Sequence, residues 1–533
     1  MAGERYTKMA VDFGTSNTVV AFWDEGRGDV RLHAIPDVTR PFRFRMDGVE
    51  TEIPYVPSAI YYHGHERLVG FQVLARALEE SRGAFRWMKA YIRDRRRIER
   101  DMGGGLRVDH YRAGRDFLEN VLLYASEHID FGHAEVAFTV PVESFEHYTD
   151  WLGNVCREVG VRRYRFIDES SACIFGYDTH LQTGDVFVIF DFGGGTLDVS
   201  VVRIEDHVSG GRGCRVLGKA GCDIGGRTID AWLYQALLQR AGISDLDARP
   251  ASGLFLLQVE ALKERLSTEA AVDYDIRHDA SGLRLSGRLQ RTEFEDLLEE
   301  RGLYTRIQET LERALRTAEE KGIPKSDIKE TLLVGGTSQI PSIRRQVRMH
   351  FGERTRGYRP YDAVARGACR YLTSDIEALY DHIQHDYAIR DYDPRAGRHR
   401  FHTLVEQGTP YPTEPDFKRL TLKAVREGQR FFGINIYEVA EAGSAAVGGV
   451  DLVFDASGNM VLDTREKRIE AETEYWMNED RPTFIEAVPP ANKGDKRFLV
   501  SFRVDDQKHL LVTVFDILTQ KHVYRDHPVV KLK

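Results

Sequence analysis

The stretch VFVIFDFGGGTLDVSVV, Val186–Val202, decides how the rest of the chain is read. An apolar run of Val, Ile and Phe ends in Asp191, three glycines follow, and Thr196 and Asp198 lead into a second alternating run. Period and punctuation specify a β-hairpin whose turn carries a carboxylate and an open backbone loop. Glycines at 193, 194 and 195 let successive N–H groups converge on one concavity, the arrangement in which a loop cradles a phosphate. Carboxylates at 191 and 198 repel phosphate directly, which implies a divalent cation and its waters between them. A tight Gly-rich hairpin in an ordinary sheet is the competing reading.

A second copy favours the phosphate loop. Met9–Phe22, MAVDFGTSNTVVAF, is again an apolar strand, then Asp12-Phe13-Gly14, a small polar turn through Thr15, Ser16 and Asn17, and an apolar strand. Duplication of this unit predicts two similar lobes, each aiming one loop at a shared cleft. The pair of hairpins resembles the ATPases of the actin, sugar-kinase and heat-shock-chaperone superfamily. A protein-kinase Asp-Phe-Gly is excluded, because neither a His-Arg-Asp loop nor a Val-Ala-Ile-Lys strand occurs.

The length of 533 residues suggests about three domains. A net charge of −9 argues against a broad nucleic-acid surface. Five cysteines without a C-x-x-C pair fit a reduced compartment with neither disulfide framework nor zinc site. No apolar run reaches membrane-spanning length, and MAGERYTK lacks a signal-peptide core. The expectation is a cytoplasmic protein with no membrane or nucleic-acid partner.

Loops and short strand pairs are expected over 30–62, and a helix from about Phe71 leading to FRWMKAYIRDRRR. Arginines 93, 95, 96, 97 and 100 read as a solvated helix face. Lys89, flanked by Phe85, Trp87, Met88 and Ile92, resembles the lysine that reaches the γ-phosphate and attacking water in the seventy-kilodalton heat-shock chaperones; a snorkelling surface lysine is the alternative. Helices over Tyr111–His128 and about Ser144–Val159 flank a strand ending at Val140-Pro141, and the strand YRFIDES places Glu169 at its end. In that family the equivalent glutamate holds a metal-bound water. Ser170 departs from the family's Glu-Pro, and Thr149 stands where the family has an arginine.

Gly225-Gly226 opens a helix and suits either an anion or a plain capping turn. Glu260 and Lys263 lie three apart on an amphipathic helix, Leu254–Ala270, and form either a surface ion pair or, by resemblance, nucleoside contacts. Gly335-Gly336-Thr337 between a strand and a helix matches the family's Gly-Gly-Ser-x-Arg-Ile-Pro, with close backbone approach to a nucleoside. Glu264 and Gln339 replace arginines that stack on adenine in the family. Arg359–Leu372 reads as a closing helix.

From Phe401 the period becomes two, and about seven short strands read as a β-sandwich, with 443–487 as a variable insertion. Parts of it resemble the family's peptide-binding β-domain; a generic interaction domain is the alternative. The sequence is identified as a lidless member of the family, of α/β class: a two-lobed actin-like (ribonuclease-H-like) ATPase domain at 1–380, a linker at 381–398 and a β-sandwich at 399–533. The resemblance implies ATP/ADP and Mg²⁺ as cofactors. Asp12 and Asp191 would order the cation through water, while Gly14–Asn17 and Gly193–Thr196 hold phosphates. Lys89, Glu169, Thr196 and Asp198 would serve hydrolysis. Unfolded or extended polypeptides, a J-domain co-chaperone and a nucleotide exchange factor are the implied partners. A nucleotide-switched scaffold or filament is the rival function.

Overall fold

The computed structural model describes residues 6–46, 49–64, 66–79, 81–141, 146–177, 181–206, 212–357, 359–373, 383, 385–393, 398–406, 409, 411–439, 450–454, 460–464, 474–478, 483–505 and 508–532. The chain divides into two units, Met1–Leu379 with Ala446–Glu466, and Tyr380–Ala445 with Lys467–Lys533. The hairpin Val450–Phe454/Met460–Thr464 thus groups with the first unit although the sequence around it builds the second.

Two sheets of the first unit repeat one local plan. In the first, β1 (Lys8–Phe13) runs antiparallel to β2 (Asn17–Asp24) and parallel to β3 (Glu135–Val140), which is parallel to β4 (Arg163–Asp168). The hairpin Arg40–Met46/Val49–Pro57 extends the β2 edge. In the second, β5 (Val186–Phe192) runs antiparallel to β6 (Leu197–Asp206), which pairs with β7 (Arg212–Cys222), and parallel to β8 (Ile328–Val334). Burial on both faces explains the nearly continuous apolar runs of β1 and β5. Past the first residue of β1, the one side chain left partly open in each strand is the aspartate, Asp12 or Asp191, next to the strand end.

Helices hold these strand ends in place. Those used below are α1 (Met88–Arg93), α2 (Glu146–Val159), α3 (Glu169–Gly176), α4 (Gly226–Ala241), α5 (Ser252–Leu266) and α6 (Ala363–Tyr371). One apolar cluster surrounds each sheet, and a third joins Ala10, Val19 and Ala137 to Phe187, Ile189 and Leu332 through α3 and α6. These two helices touch backbone to backbone. A methyl group on Gly367 would lie 1.6 Å from the Ala172 carbonyl oxygen, and one on Gly176 1.8 Å from that of Ala363.

Several expectations are corrected here. Phe71 opens one helical turn, Phe71–Leu74, followed by a short strand, Ala84–Arg86, before α1. The arginine run is only in part a solvated face: Arg95 and Arg97 are exposed, but Arg100 is fully buried, with Nη1 donating to the Ala84 carbonyl at 2.7 Å, and Arg93 is ion-paired with Asp94 at 2.7 Å. Two of them also lie over aromatic rings, Arg100 over Phe85 and Arg97 over Tyr111.

The second unit is β throughout its described residues. Asp386–Asp393 lies between Arg398–Val405 and Ile436–Val439, inside the segment expected as a linker. It buries Tyr387, Ala388 and Ile389, which is why it pairs rather than spans. A four-stranded meander includes Lys418–Lys423, Lys496–Val504, His509–Asp516 and Lys521–Lys531. Gln429–Ile434 pairs with Thr483–Ala491. Phe432, Ile434, Ile485 and Phe498 fill the core, and the fully buried Arg497 is held by Asp516 at 2.8 Å.

Candidate functional site

The hairpin register sets the acidic residues. Asp191 lies directly opposite Asp198 across β5–β6, and Asp12 sits opposite Val19 across β1–β2. Parallel pairing with β3 brings Thr139 beside Asp12, and its Oγ1 donates to Asp12 Oδ1 at 2.7 Å. β4 ends at Asp168, which caps α3 by accepting from the Ser171 amide at 2.8 Å and so presents Glu169 at the first helical position. Lys89 comes from α1; its Nζ meets Glu169 Oε1 at 2.5 Å, with both groups largely withdrawn from solvent. The surface-lysine alternative therefore fails.

This cluster holds an excess of negative charge. Burial, then Glu169, Asp198 and Asp12, push the Asp191 carboxyl well above its usual range, against the pull of Lys89. Asp12 is raised from 3.8 to about 6 by burial, opposed by Lys89 and reinforced by Glu169. Burial disfavours the Lys89 ammonium, but Glu169, Tyr148 and Asp12 outweigh it and hold the lysine above its ordinary value. Carboxyl groups so crowded need added positive charge to ionise together.

The two turns face each other. A methyl on Gly194 would lie 2.9 Å from Ser16 Oγ, and one on Gly195 3.4 Å from Thr15 Oγ1. Ser58, which the sequence reading did not single out, pins the first turn: its amide donates to the Ser16 carbonyl at 2.8 Å and its hydroxyl to the Gly14 carbonyl at 2.8 Å. The second turn is closed by the Gly193 amide donating to the Thr196 carbonyl at 3.1 Å.

Gly225-Gly226 resolves toward packing. The Gly226 and Arg227 amides donate to the Gly193 and Gly194 carbonyls at 3.0 and 2.9 Å, so two N–H groups at the start of α4 are already engaged. A methyl on Gly225 would sit 2.4 Å from the Gly195 backbone, which requires glycine there. Gly335 adopts a left-handed φ of 78° in contact with Phe192, and Thr337 Oγ1 donates to the Gly193 carbonyl at 2.8 Å. The Gly335–Thr337 segment thus buttresses the same loop. On α5, Glu260 and Lys263 pair outward rather than with each other: Glu260 with Arg86 at 2.6 Å, and Lys263 with Asp230 at 2.8 Å. Arg86 and Asp230 were not anticipated. Gln339 Nε2 donates to Ser338 Oγ at 2.9 Å, and Tyr361 lies against Gly336.

Among the described residues no three His, Cys, Asp or Glu side chains are grouped closely enough to hold a bare metal ion. Asp12 and Asp191 are the carboxylates through which a hydrated cation could be held.

A family model described as "Hsp70 protein" matches residues 153–400. This match runs through both the second hairpin and the Gly335-Gly336 turn. Over that span the chain is similar to the Hsp70 family. Chaperone protein DnaK of Deinococcus proteolyticus is 26% identical over 394 residues, covering 68% of this chain and 58% of the relative. Chaperone protein dnaK3 of Synechococcus elongatus is 27% identical over 390 residues, covering 68% and 49%. A chaperone protein HscA homolog of Shewanella denitrificans is 28% identical over 247 residues, covering 46% and 38%. The chain thus spans about half the length of the curated relatives it matches. The mixed α/β sheets of its first unit fit the Hsp70 ATPase fold.

Proposed function

We propose that this chain is a chaperone-type ATPase that binds ATP with Mg²⁺ between two actin-like lobes and engages extended polypeptide through a β-sandwich unit. The observation that carries the nucleotide half is the convergence of the Asp12 and Asp191 hairpins, with Lys89 and Glu169, on one buried acidic cluster faced by two small-residue turns. Gly14–Asn17 and Gly193–Thr196 would cradle phosphates. Mg²⁺ would supply the charge that lets Asp12 and Asp191 ionise together and would neutralise the phosphates. Lys89 and Glu169 would position the attacking water, and Thr196 and Asp198 would lie near the terminal phosphate. Catalysis of this kind is positioning and charge neutralisation, which fits a pre-built, ion-paired site. Glu260, Lys263, Gly335, Gly336 and Thr337 would border the nucleoside side.

For the second unit, the support is an open apolar face. On the pair Gln429–Ile434/Thr483–Ala491, Phe432, Ile434, Ile485 and Ala487 turn inward while Phe431, Phe484 and Val488 are exposed. Strand edges with adjacent apolar side chains suit an extended peptide. A J-domain protein and an exchange factor belong to the same reading. The test is ATP turnover by the full chain with and without Mg²⁺, beside release of a labelled unfolded peptide. Magnesium-dependent turnover that collapses in Asp191→Ala and weakens in Asp198→Ala is expected; turnover indifferent to all three sinks the site. Absence of peptide binding, with nucleotide-dependent sedimentation, would favour the scaffold function.

A further inference from the structure

Tyr148 has no role in the site as described above, yet it stands at its edge. It lies in the first turn of α2 with no exposed surface, and its hydroxyl has no hydrogen-bond partner among the described residues. A buried phenol normally finds one, since desolvating an unpaired hydroxyl is unfavourable. Its placement is constrained on both sides. Neighbouring His147 Nε2 bonds the Ile92 carbonyl at 2.9 Å, tying α2 to α1, the short helix that carries Lys89. On the other side the Tyr148 ring packs on Trp151, which packs on Phe13, the residue after Asp12. Tyr148 and Lys89 lie within electrostatic reach of each other. Burial raises the Tyr148 phenol, with Lys89 opposing and Glu169 and Asp12 reinforcing, so the ring is within electrostatic reach of the acidic cluster.

We propose that the Tyr148 hydroxyl is a third hydrogen-bonding group for the water that Lys89 and Glu169 position, so that its missing partner is supplied when nucleotide binds. This rests on the ATPase reading above. It adds no covalent step: the phenol orients the water and keeps its proton.

The experiment is single-turnover ATP hydrolysis by full-length Tyr148→Phe, with nucleotide affinity and thermal midpoint measured on the same sample and Asp191→Ala alongside. Phenylalanine keeps the ring packing and removes only an unpaired hydroxyl, so a purely structural tyrosine would leave stability unchanged or slightly improved. The expected result is a rate about five- to tenfold lower, the loss of one hydrogen bond to the water, with affinity within twofold and an unreduced midpoint. A wild-type rate overturns the proposal, as does a lower rate accompanied by a lower midpoint or weaker nucleotide binding, which would mark Tyr148 as packing. Wild-type turnover that Asp191→Ala leaves intact would overturn the site itself, a failure distinct from that of Tyr148.

Discussion

Replacing Asp12 with asparagine should stabilise the nucleotide-free protein while disabling the site. In the folded chain the Asp12 carboxyl is raised from 3.8 to about 6, chiefly by burial. Between those pH values the native state binds a proton that the unfolded state has lost, so stability falls as pH rises through that window. Above it, the ionised carboxylate costs on the order of 3 kcal/mol relative to an unfolded chain. Asparagine avoids that charge and can still accept the 2.7 Å hydrogen bond from Thr139 Oγ1. The gain at pH 8 should therefore approach ~2–3 kcal/mol, a rise of roughly 3 °C for a unit of this size. At pH 4.5, low in that window, where folded wild-type Asp12 carries its proton, the gain should shrink to about 1 kcal/mol. Thermal unfolding followed by tryptophan fluorescence across pH 4.5–8 measures both arms. Saturating Mg·ATP should reverse the order at pH 8, because a ligand that needs the carboxylate stabilises only the wild type. An Asp12→Asn protein no more stable than wild type at pH 8, or more stable by the same margin at pH 4.5, would refute the electrostatic account.

Other expectations follow from particular contacts. Gly367→Val should lower the first unit's stability by ~3 kcal/mol or more, because its Cβ meets the Ala172 carbonyl at 1.6 Å; Gly357→Ala, whose nearest neighbour would be at 3.4 Å, should be nearly silent in the same denaturation assay. Gln339→Arg should tighten ATP binding severalfold over GTP by adding a stacking guanidinium, and equal or weaker binding in competition titrations would place the base elsewhere. Arg86→Ala leaves Glu260 without its 2.6 Å partner, and nucleotide dissociation in stopped flow should quicken severalfold if that bridge, made by residues 174 apart, helps close the site.

The hairpins were legible because a strand that is buried on both faces must be apolar throughout, so a polar residue near its end stands out. Asp12 and Asp191 are such residues. Lys89 and Glu169 were found by resemblance alone, since nothing in their spacing announces a contact between a helix and the residue following a distant strand. Thr139, Ser58 and Asp230 were missed because their roles depend on strand register and helix packing. The arginine run was misread at Arg93 and Arg100 for a related reason: charge density in sequence carries no mark of burial. Its side chains cross aromatic rings and reach carbonyls that only the folded chain supplies. The linker was misjudged because one strand, Asp386–Asp393, is short enough to pass for a connector.

The crossing of α3 and α6 has a mechanical consequence. Where side chains interlock, rotation of one helix on another must lift ridges out of grooves. Around Gly176 and Gly367 the two main chains meet with no side chain on either glycine to interlock, so that point resists separation far more than rotation. It serves as a bearing, and Glu169, seven residues from Gly176 at the other end of α3, rides on the lever arm. A twist of a few degrees at the bearing moves the Glu169 carboxylate relative to Lys89 by a fraction of an ångström. If the proposed site holds the attacking water between these groups, a displacement of that size would change the rate of hydrolysis.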